Sequence, residues 1–478
     1  MLYNSLSYLV FLPVVFALYW LVNTKSLKLQ NLLLLAASYF FYACWDWRFL
    51  FLLVFSTGLD YFTGLQMHNA KNQGHKKFWF WLSIIINLGF LGVFKYYNFF
   101  VDSFQELLSG FGIQSSFWTL QIILPVGISF YTFHGLSYVI DIYNDRIKPE
   151  KNIVDYSLFV SYFPLLVAGP IERATHLLPQ LKKKRHFDYH KAMDGFYQIL
   201  WGLFKKIVIA DSCAAYANAI FDNYENANSI TLLLGAIYFS FQIYGDFSGY
   251  SDIALGTSKL FGIDLFRNFN FPYFSRDIAE FWRRWHISLS SWFRDYLYIP
   301  LGGSKGGLKS KVRNTFIIFL VSGFWHGANW TFIVWGLLNA IYFLPLLLTN
   351  SNRNHLEIVA KGKSWPTVKE FFSILLTFCL TTFAWIFFRS ETLGQAFTYI
   401  KNLFSFNFEG GIAYLEIDRY SVELLFMLFA FIVFEWFSRE KEHPFFGKAK
   451  DMLAVFVILM IVVFGVYSQA SEFIYFQF

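Results

Sequence analysis

A histidine lies in the middle of a long apolar stretch in the last third of the chain. The segment SGFWHGANW, residues 322–330, places His326 between two strongly apolar flanks. An ionisable side chain in such a segment is costly in lipid and is therefore a functional hypothesis by default. Histidine titrates near neutral pH, which suits a general base that takes a proton from a reacting group. The alternative is a buried residue whose hydrogen bonds serve only the structure.

The apolar flanks of His326 predict a helical hairpin. Residues 314–348 would form a helix of ~52 Å, which is too long for one straight crossing, and both ends lie near basic clusters. Gly327 and Asn329 are therefore predicted to mark a turn, with His326 at or near its apex. Trp325 and Asn329 then lie beside His326 as candidate hydrogen-bonding residues for a substrate.

A second polar stretch, QIYGDFSGYSD, covers residues 242–252. Its carboxylates Asp246 and Asp252 are costly in lipid, and such groups are usually tied to function or to a partner. One hypothesis is that Asp246 and Tyr250 contact a substrate. The other is that the two aspartates cap helices after a glycine break, since aspartate is a favourable N-cap residue.

The third polar stretch runs from Asp277 to Pro300. At about 100° per residue, its apolar residues form one stripe, which predicts a single helix lying in the plane of the membrane interface. Arg283 and Arg284 lie on the polar face, where they either anchor the helix at the bilayer surface or bind the phosphates of an acyl donor. His286 falls at the border of the stripe, where an interfacial hydrogen-bonding residue is common.

The composition predicts the structure that holds these stretches. Of 478 residues, 56% are hydrophobic and 15% are charged, against about 25% charged in soluble domains. No polar linker divides the chain, so we predict one all-α polytopic membrane domain over residues 1–478. The formal charge of +7 resides in short clusters between apolar stretches, which is typical of cytoplasmic loops and argues against nucleic-acid binding. Motifs of serine hydrolases, P-loop enzymes and zinc proteases do not occur, and we predict no metal site.

Apolar segments along the chain predict membrane spans, because a crossing helix needs about 20 mainly apolar residues. Lys and Arg concentrate in alternate connections, which predicts that both termini lie outside the cytoplasm. Residues 153–181 begin and end beside basic clusters and contain helix-breaking prolines, which predicts a re-entrant segment and a cavity on the cytoplasmic side. The predicted spans are 5–22, 29–44, 48–65, 78–100, 119–140, 195–219, 229–245, 314–328, 330–348, 371–388, 421–437 and 452–470.

Two motifs carry a resemblance to a known family. WHISLSSWFRDYLYIPLGG (285–303) and FWHGANWTFIVWG (324–336) resemble the membrane-bound O-acyltransferase family, in particular its bacterial branch related to the alginate O-acetyltransferase membrane subunit. Supporting stretches are 129–143, 163–181 and 244–256. The likeness runs from the N-terminus to about residue 390.

The resemblance implies a fold and an activity. The family fold is a ring of about 11–12 tilted transmembrane helices, with re-entrant and interfacial helices, around a central tunnel; core motifs would occupy 125–345 and peripheral C-terminal helices 371–478. The presumed catalytic histidine of the family matches His326, and a second characteristic position matches His286. Such proteins move an acyl group from a cytoplasmic donor to a hydroxyl acceptor. In the alginate-type branch the acetyl group passes outward across the bacterial inner membrane.

These implications combine with the residues into one mechanistic hypothesis. Acetyl-CoA, or another acyl thioester, would enter a cytoplasmic mouth lined by Arg283, Arg284 and the re-entrant segment, with no tightly bound cofactor. His326 would act as general base on an acceptor hydroxyl. His286 would orient the donor or assist proton transfer. The expected partners are membrane lipid, a polysaccharide acceptor and an extracytoplasmic acetyltransferase-like or esterase-like protein, for which residues 390–420 offer a docking loop.

Two alternatives to this hypothesis stay open. The first is D-alanyl transfer to teichoic acid from a carrier protein, since the D-alanyl transfer protein belongs to the same family. The second is a transporter or lipid flippase without chemistry of its own. Transporters commonly contain repeated halves with Gly/Pro-interrupted helices; this sequence has the interruptions but no visible repeat.

Overall fold

The computed structural model describes residues 1–23, 26–113, 124–166, 169–410, 423–467 and 473–474. All regular secondary structure in those residues is helical, so the all-α prediction is confirmed. Contacts between Cα atoms divide the chain into two compact units, a first unit of Met1–Phe196 with Ala254–Phe266 and a second unit of Tyr197–Ile253 with Arg267–Phe478. The single domain expected over residues 1–478 stays a prediction.

Helices form most of the first unit: α1 (Leu6–Asn23), α2 (Leu27–His68), α3 (Gln73–Leu91), α4 (Tyr97–Gly110), α5 (Ile128–Tyr143), α6 (Ile153–Ser161), α7 (Phe163–Leu166) and α8 (Ala174–Leu181). α2 joins the predicted spans 29–44 and 48–65 and breaks between them at Asp46, whose backbone is extended (φ −153°, ψ 111°). The Asp46 carboxylate accepts hydrogen bonds from the backbone N–H and the guanidinium of Arg48 (2.9 and 3.0 Å). It thereby satisfies a donor that the break exposes.

The segment predicted as re-entrant is indeed broken into the short helices α6, α7 and α8. Residues of α2 satisfy its polar groups. The backbone N–H of Phe163 donates to the hydroxyl of Ser38 (3.0 Å). The Asn31 amide donates to the Asp155 carboxylate (2.8 Å) and to the Leu181 carbonyl (2.9 Å). Irregular backbone of this kind survives among apolar helices because protein groups replace water as partners.

The second unit contains most of the remaining helices. α9 starts in the first unit and α11 ends there. Turns of π-helix follow α9 (Phe204–Ala210) and α13 (Arg294–Tyr298). The helices are α9 (Tyr189–Leu203), α10 (Asp211–Asp222), α11 (Ser229–Leu260), α12 (Ile278–Arg284), α13 (Ile287–Phe293), α14 (Gly307–His326), α15 (Trp330–Leu348), α16 (Val368–Arg389), α17 (Leu393–Leu403), α18 (Glu423–Ser438) and α19 (Lys450–Phe464).

α11 is longer than the predicted span 229–245, and it corrects the capping hypothesis. Asp246 and Asp252 lie inside one continuous helix, so neither caps a helix after a glycine break. Gly249 has a different use: a methyl group added there would lie 2.7 Å from the Gly202 carbonyl oxygen. The glycine therefore allows the close approach of α9 to α11 instead of ending the helix.

The single interfacial helix predicted over 277–300 is wrong, because α12 ends at Arg284 and α13 begins at Ile287. Between them His286 adopts a left-handed backbone conformation (φ 43°, ψ 55°). The preceding segment supplies the hydrogen bonds that the helix loses. The Asn270 N–H donates to the Arg284 carbonyl (3.0 Å), and the Ile287 N–H donates to the Asn268 carbonyl (2.9 Å).

The predicted hairpin around residues 327–329 is confirmed by α14 and α15, which pack against each other along their length. Two glycines bring the helices together. A methyl group on Gly323 would lie 2.3 Å from the Phe332 carbonyl oxygen, and one on Gly336 would lie 2.3 Å from the Phe319 carbonyl oxygen. Asn329 starts α15, because its side-chain oxygen accepts the backbone N–H of Thr331 (3.0 Å).

Helices of the described chain are long and apolar enough to cross a membrane. They are Leu27–His68, Gln73–Gly110, Ser229–Leu260, Trp330–Leu348 and Val368–Arg389, with Leu6–Val22 as a shorter apolar helix. Large apolar side chains on their surfaces, such as Phe51 and Ile85, are more than half exposed, as expected for helices that face lipid. The membrane class is therefore confirmed. The count of about 11–12 crossings and the central tunnel stay predictions, and the predicted spans 119–140, 421–437 and 452–470 run partly outside the described residues.

Candidate active site

His326 is the last residue of α14 and lies at the predicted apex of the hairpin. Its side chain is buried, with a residue exposure of 3%. Aromatic rings enclose the imidazole: its centroid is 5.0 Å from the Trp335 ring and 5.3 Å from the Phe388 ring, with both pairs close to edge-to-face. The hairpin and α16 together hold this histidine in an apolar cage.

Trp325 brings the two predicted catalytic histidines to one place. Its ring centroid is 4.9 Å from that of His326 and 6.1 Å from that of His286. The histidines are separated by 40 positions in the sequence and belong to different elements, and both are buried. The structure therefore places His286, Trp325 and His326 in one aromatic cluster of the second unit, as the grouping in the hypothesis requires.

His286 is set in this cluster by the break between α12 and α13. The Phe247 ring of α11 meets the imidazole edge-on, with centroids 4.7 Å apart and planes at 88°. Burial lowers the pKa of His286 to about 3, because an apolar environment disfavours the charged ring. The imidazole is therefore neutral across the physiological pH range.

A first cavity of about 240 Å³ lies between α13 and the hairpin. Ser322 on its wall is one helical turn before His326. Trp282 on the same wall contacts the Trp335 ring, with centroids 5.6 Å apart. The lining residues are Trp282, Leu289, Ser290, Phe293, Arg294, Tyr298, Ser304, Thr315, Ile318, Phe319, Ser322, Phe343, Leu347, Asn352 and Arg353.

A second cavity, of about 540 Å³, lies at the turn of the hairpin and is more polar. Its wall includes Ala328, two residues after His326. It also includes Phe332, whose ring is 4.8 Å from that of Phe388, the residue that contacts His326. Asn218, Asp222, Ala328, Asn329, Phe332, Arg389, Ser390 and Glu391 line it.

Asn329 lines the second cavity, but its side chain is also engaged by the protein. In addition to capping α15, its amide donates to the Glu391 carbonyl (2.7 Å). This hydrogen bond ties the turn of the hairpin to the end of α16. Asn329 therefore shapes the wall of the cavity, and its role as a substrate ligand stays a prediction.

Arg283 and Arg284 do not line either cavity. Arg284 is buried and forms an ion pair with the fully buried Glu280 (2.8 Å). Arg283 donates to the carbonyls of Asn352 and His355 (both 2.8 Å). Both guanidinium groups thus hold α12 in place. The arginines on the wall of the first cavity are others, Arg294 and Arg353.

Asp246 and Tyr250 likewise lie away from both cavities. Asp246 is buried and forms an ion pair with Lys206 (2.8 Å), which also pairs with Asp211 (2.9 Å). The fully buried ring of Tyr250 is covered by Phe473, with centroids 4.7 Å apart. The observed contacts of both side chains are with other residues of this chain. A contact of Asp246 or Tyr250 with substrate stays a prediction.

Comparison with known proteins extends these findings. Residues 146–387, just over half of the chain, match the membrane-bound O-acyltransferase family. A protein of Pseudomonas aeruginosa named probable alginate O-acetylase is 40% identical over 85% of this chain and 75% of its own. A peptidoglycan O-acetyltransferase of Helicobacter pylori is 37% identical over 89% of this chain and 83% of its own.

This chain belongs to the membrane-bound O-acyltransferase family. The predicted family and the predicted enzyme class, an O-acyltransferase, are thus confirmed. A teichoic acid D-alanyltransferase of Bacillus subtilis is similar over a smaller part, with 28% identity over 46% of this chain and 58% of its own. The region that matches the family, residues 146–387, contains both histidines and both arms of the hairpin.

Sequence reasoning missed some residues of the candidate site. Trp335 belongs to the second recognised motif, and its place six residues after Asn329 is the signal that it faces back toward His326. Phe388 lies in an apolar helix without any distinguishing pattern, and Phe247 lies in the polar stretch 242–252, where attention fell on the polar residues. Arg353 follows α15 in a short polar connection, where a basic residue reads as a membrane-surface anchor.

Proposed function

We propose that this acyltransferase moves an acetyl group from a thioester in the first cavity to a hydroxyl group in the second, with His326 as general base. The observation that carries the proposal is that His326, which lines neither cavity itself, has near neighbours in the chain that line both. Ser322, one turn before it, lines one cavity, and Ala328, two residues after it, lines the other. An aromatic residue of each cavity wall also contacts a ring of the cage around His326.

The proposed reaction is an acyl transfer that balances in protons and charge. His326 takes the proton of the acceptor hydroxyl as the oxygen attacks the thioester carbonyl carbon, and a carbon–oxygen bond forms. The carbon–sulfur bond then breaks, and the imidazolium returns its proton to the departing thiolate. His286, neutral at physiological pH, orients the thioester from the other side of Trp325. The products are an O-acetyl ester and a free thiol.

Acetyl-CoA, or another acyl thioester, is the proposed donor in the first cavity, and no tightly bound cofactor is proposed. The cavity lies beside the basic segment 305–313, which the distribution of Lys and Arg assigns to the cytoplasm. Arg294 and Arg353 offer guanidinium groups to phosphates. Apolar rings and the hydroxyl of Ser322 line the deeper wall, which matches the mixed character of a pantetheine chain.

The acceptor is proposed to be an extracytoplasmic polysaccharide or cell-wall polymer. The relatives with extensive coverage are named for alginate and peptidoglycan acetylation. The second cavity is polar, as a hydroxyl-bearing acceptor requires, and the connections that line it carry mainly acidic charge. On this proposal the chain lies in the bacterial inner membrane with both termini outside, and a partner protein carries the acetyl group onward.

Acetyl transfer is favoured over D-alanyl transfer by the comparisons. The two relatives named for O-acetylation cover most of the chain, whereas the D-alanyltransferase covers less than half and at lower identity.

Substitution of His326 tests the proposal. The purified protein in liposomes is given acetyl-CoA and soluble peptidoglycan fragments or alginate oligosaccharides, and released CoA and O-acetyl groups are measured. His326→Ala is expected to lower the rate by about 10² to 10⁴.

His443→Ala is the matched control for this experiment. His443 is also a buried histidine of the second unit, but it packs against Tyr197 and Phe445 and not against either cavity. Its substitution should leave the rate near that of the unaltered protein. A correctly folded His326→Ala protein that releases CoA and forms O-acetyl groups at the normal rate would contradict the general-base role. Transport of intact acceptor without thioester cleavage would instead favour the transporter.

A further inference from the structure

We propose that Phe473 is a positioning residue for His286: residues 473–474 pack into the centre of the second unit and brace the ring against which His286 is held. This inference rests on the proposed role of His286 in the reaction. It concerns a part of the chain that lies more than 140 positions beyond the hairpin turn, outside the recognised motifs.

Residues 473 and 474 are as deeply buried as any part of the second unit. The side-chain exposures of Phe473 and Ile474 are 0% and 1%. The backbone N–H of Ile474 donates to the Asp246 carboxylate of α11 at 2.7 Å. The other oxygen of that carboxylate pairs with Lys206 at 2.8 Å. A charged acceptor of this kind makes a stronger hydrogen bond than a neutral one, so Asp246 fixes the position of this segment.

The Phe473 ring lies next to this hydrogen bond and packs toward the candidate active site. It packs against Phe247, one residue after Asp246, with ring centroids 5.8 Å apart. Phe247 is fully buried and meets the His286 imidazole edge-on at 4.7 Å. His286 in turn contacts Trp325, the neighbour of His326. Three successive ring contacts therefore connect Phe473 to the aromatic cluster of the candidate active site.

His286 depends on such packing more than an ordinary helical residue does. Its backbone is left-handed, a conformation that is strained for a residue with a side chain and that persists only where the surroundings enforce it. Phe247 is one of the residues that surround His286 and hold it in this conformation. Without the Phe473 ring, Phe247 would face an empty space and gain freedom to shift. A displacement of His286 by a fraction of an ångström would then slow the reaction without altering the binding of the donor.

The first test compares Phe473→Leu, Phe473→Val and Phe473→Ala for acetyl-CoA turnover. We expect Phe473→Leu to stay close to the unaltered protein, and kcat to fall through valine to a loss of about ten- to a hundredfold for alanine. The KM for acetyl-CoA should stay unchanged. The graded series keeps the result interpretable if the alanine protein does not fold. Phe445→Ala is the matched control, because it removes another buried ring, which packs on Tyr197 and not on His286.

A double-substitution experiment separates positioning from general destabilisation. If Phe473 acts through His286, Phe473→Ala lowers kcat in the unaltered protein but causes no further decrease in a His286→Ala protein. Equal decreases in both backgrounds, or an equal loss in Phe445→Ala, would overturn the inference. A slow His286→Ala protein combined with a normal Phe473→Ala protein overturns this inference alone. A normal kcat for His286→Ala overturns the proposed role of His286 and the inference together.

Discussion

The indole N–H of Trp282 donates a hydrogen bond to the side-chain oxygen of Asn339, at 3.2 Å. This contact joins α12 to the second arm of the hairpin. Trp282 is on the wall of the first cavity, and it packs against Trp335, which contacts His326. The hydrogen bond therefore fixes the distance between the cavity wall and the proposed general base.

Removal of one partner of this hydrogen bond should cost stability. Asn339→Leu leaves the indole N–H of Trp282 without its acceptor, and we expect the free energy of unfolding to fall by about 1–3 kcal/mol. The combined Trp282→Phe and Asn339→Leu protein should be less affected than the sum of the single changes, since both polar partners are then absent. Thermal unfolding in detergent measures both effects. Strict additivity would show that the two residues do not interact.

The stability of the second unit should depend on pH through His286. Its pKa is lowered from 6.5 to about 3 by burial, so below pH 6.5 the unfolded chain binds a proton that the folded chain does not. The free energy of unfolding should then fall by up to about 1.4 kcal/mol per pH unit as the pH drops from 6.5 toward 3. Above pH 6.5 this contribution is constant.

Unfolding temperatures at pH 7.5, 6 and 5 for the unaltered and His286→Gln proteins isolate this contribution. The other titrating groups are the same in both proteins, so the difference between the two pH dependences belongs to position 286. We expect the glutamine protein to lose less stability on acidification. Parallel pH dependences would show that His286 is not buried in its neutral form.

The glycine contact within the hairpin should be intolerant of even one methyl group. In Gly336→Ala the new methyl would lie 2.3 Å from the Phe319 carbonyl oxygen, so α14 and α15 must separate and His326 must move. We expect a loss of activity of at least about tenfold, since small displacements of a reacting group have large effects on rate. Gly89→Ala in α3 is the control, because nothing lies within 4 Å of the added methyl.

Gly89→Ala should keep full activity and gain up to about 1 kcal/mol of stability, as alanine favours the helix. CoA release and thermal unfolding of the two alanine proteins give the comparison. Equal activities would show that the helices of the hairpin adjust to the methyl group without moving His326.

Arginines near the first cavity should separate into two functional classes. Arg294→Ala and Arg353→Ala are each expected to raise the KM for acetyl-CoA by about three- to tenfold, an effect that high salt should reduce, since both side chains are exposed on the cavity wall. Arg284→Ala should instead lower the unfolding temperature, because Arg284 pairs with the buried Glu280. Steady-state kinetics at low and high salt and thermal unfolding distinguish the classes. An Arg284→Ala protein of normal stability and raised KM would reverse this assignment.

The sequence predicts the hairpin correctly because its signals are local. Apolar flanks too long for one crossing, with Gly327 and Asn329 between them, determine where the turn lies and therefore where His326 lies. The interruption of 153–181 follows in the same way from its prolines and glycines. Helical periodicity fails at His286, because Asn268 and Asn270 form hydrogen bonds that replace those of a helix. No property of residues 277–300 predicts this replacement.

The site itself is predicted less completely than the fold. Chemistry-bearing residue types direct attention to His326, His286 and the arginines, but residue type does not show which charges are already paired. Glu280 pairs with Arg284 across one helical turn, and Lys206 pairs with Asp246 across two elements. Only the structure shows that Arg284 and Asp246 have buried ion-pair partners, whereas Arg294, which pairs with the neighbouring Asp295, and Arg353 line a cavity. Aromatic neighbours such as Phe388 carry no signal in a chain that is 22% aromatic.

Residues 473–474 pack against α11, which is made long before them. The contact between the two therefore forms late in biosynthesis. These residues leave the ribosome after α10 to α19 have been made, and N-terminal parts of a chain generally fold first. Phe247 therefore lacks its contact with Phe473 until residues 473–474 have been made. A nascent or prematurely terminated chain would contain both histidines and every recognised motif, yet its His286 would lack the support of Phe473. On the proposed role of His286, full competence for acyl transfer would then begin only after residues 473–474 have been made.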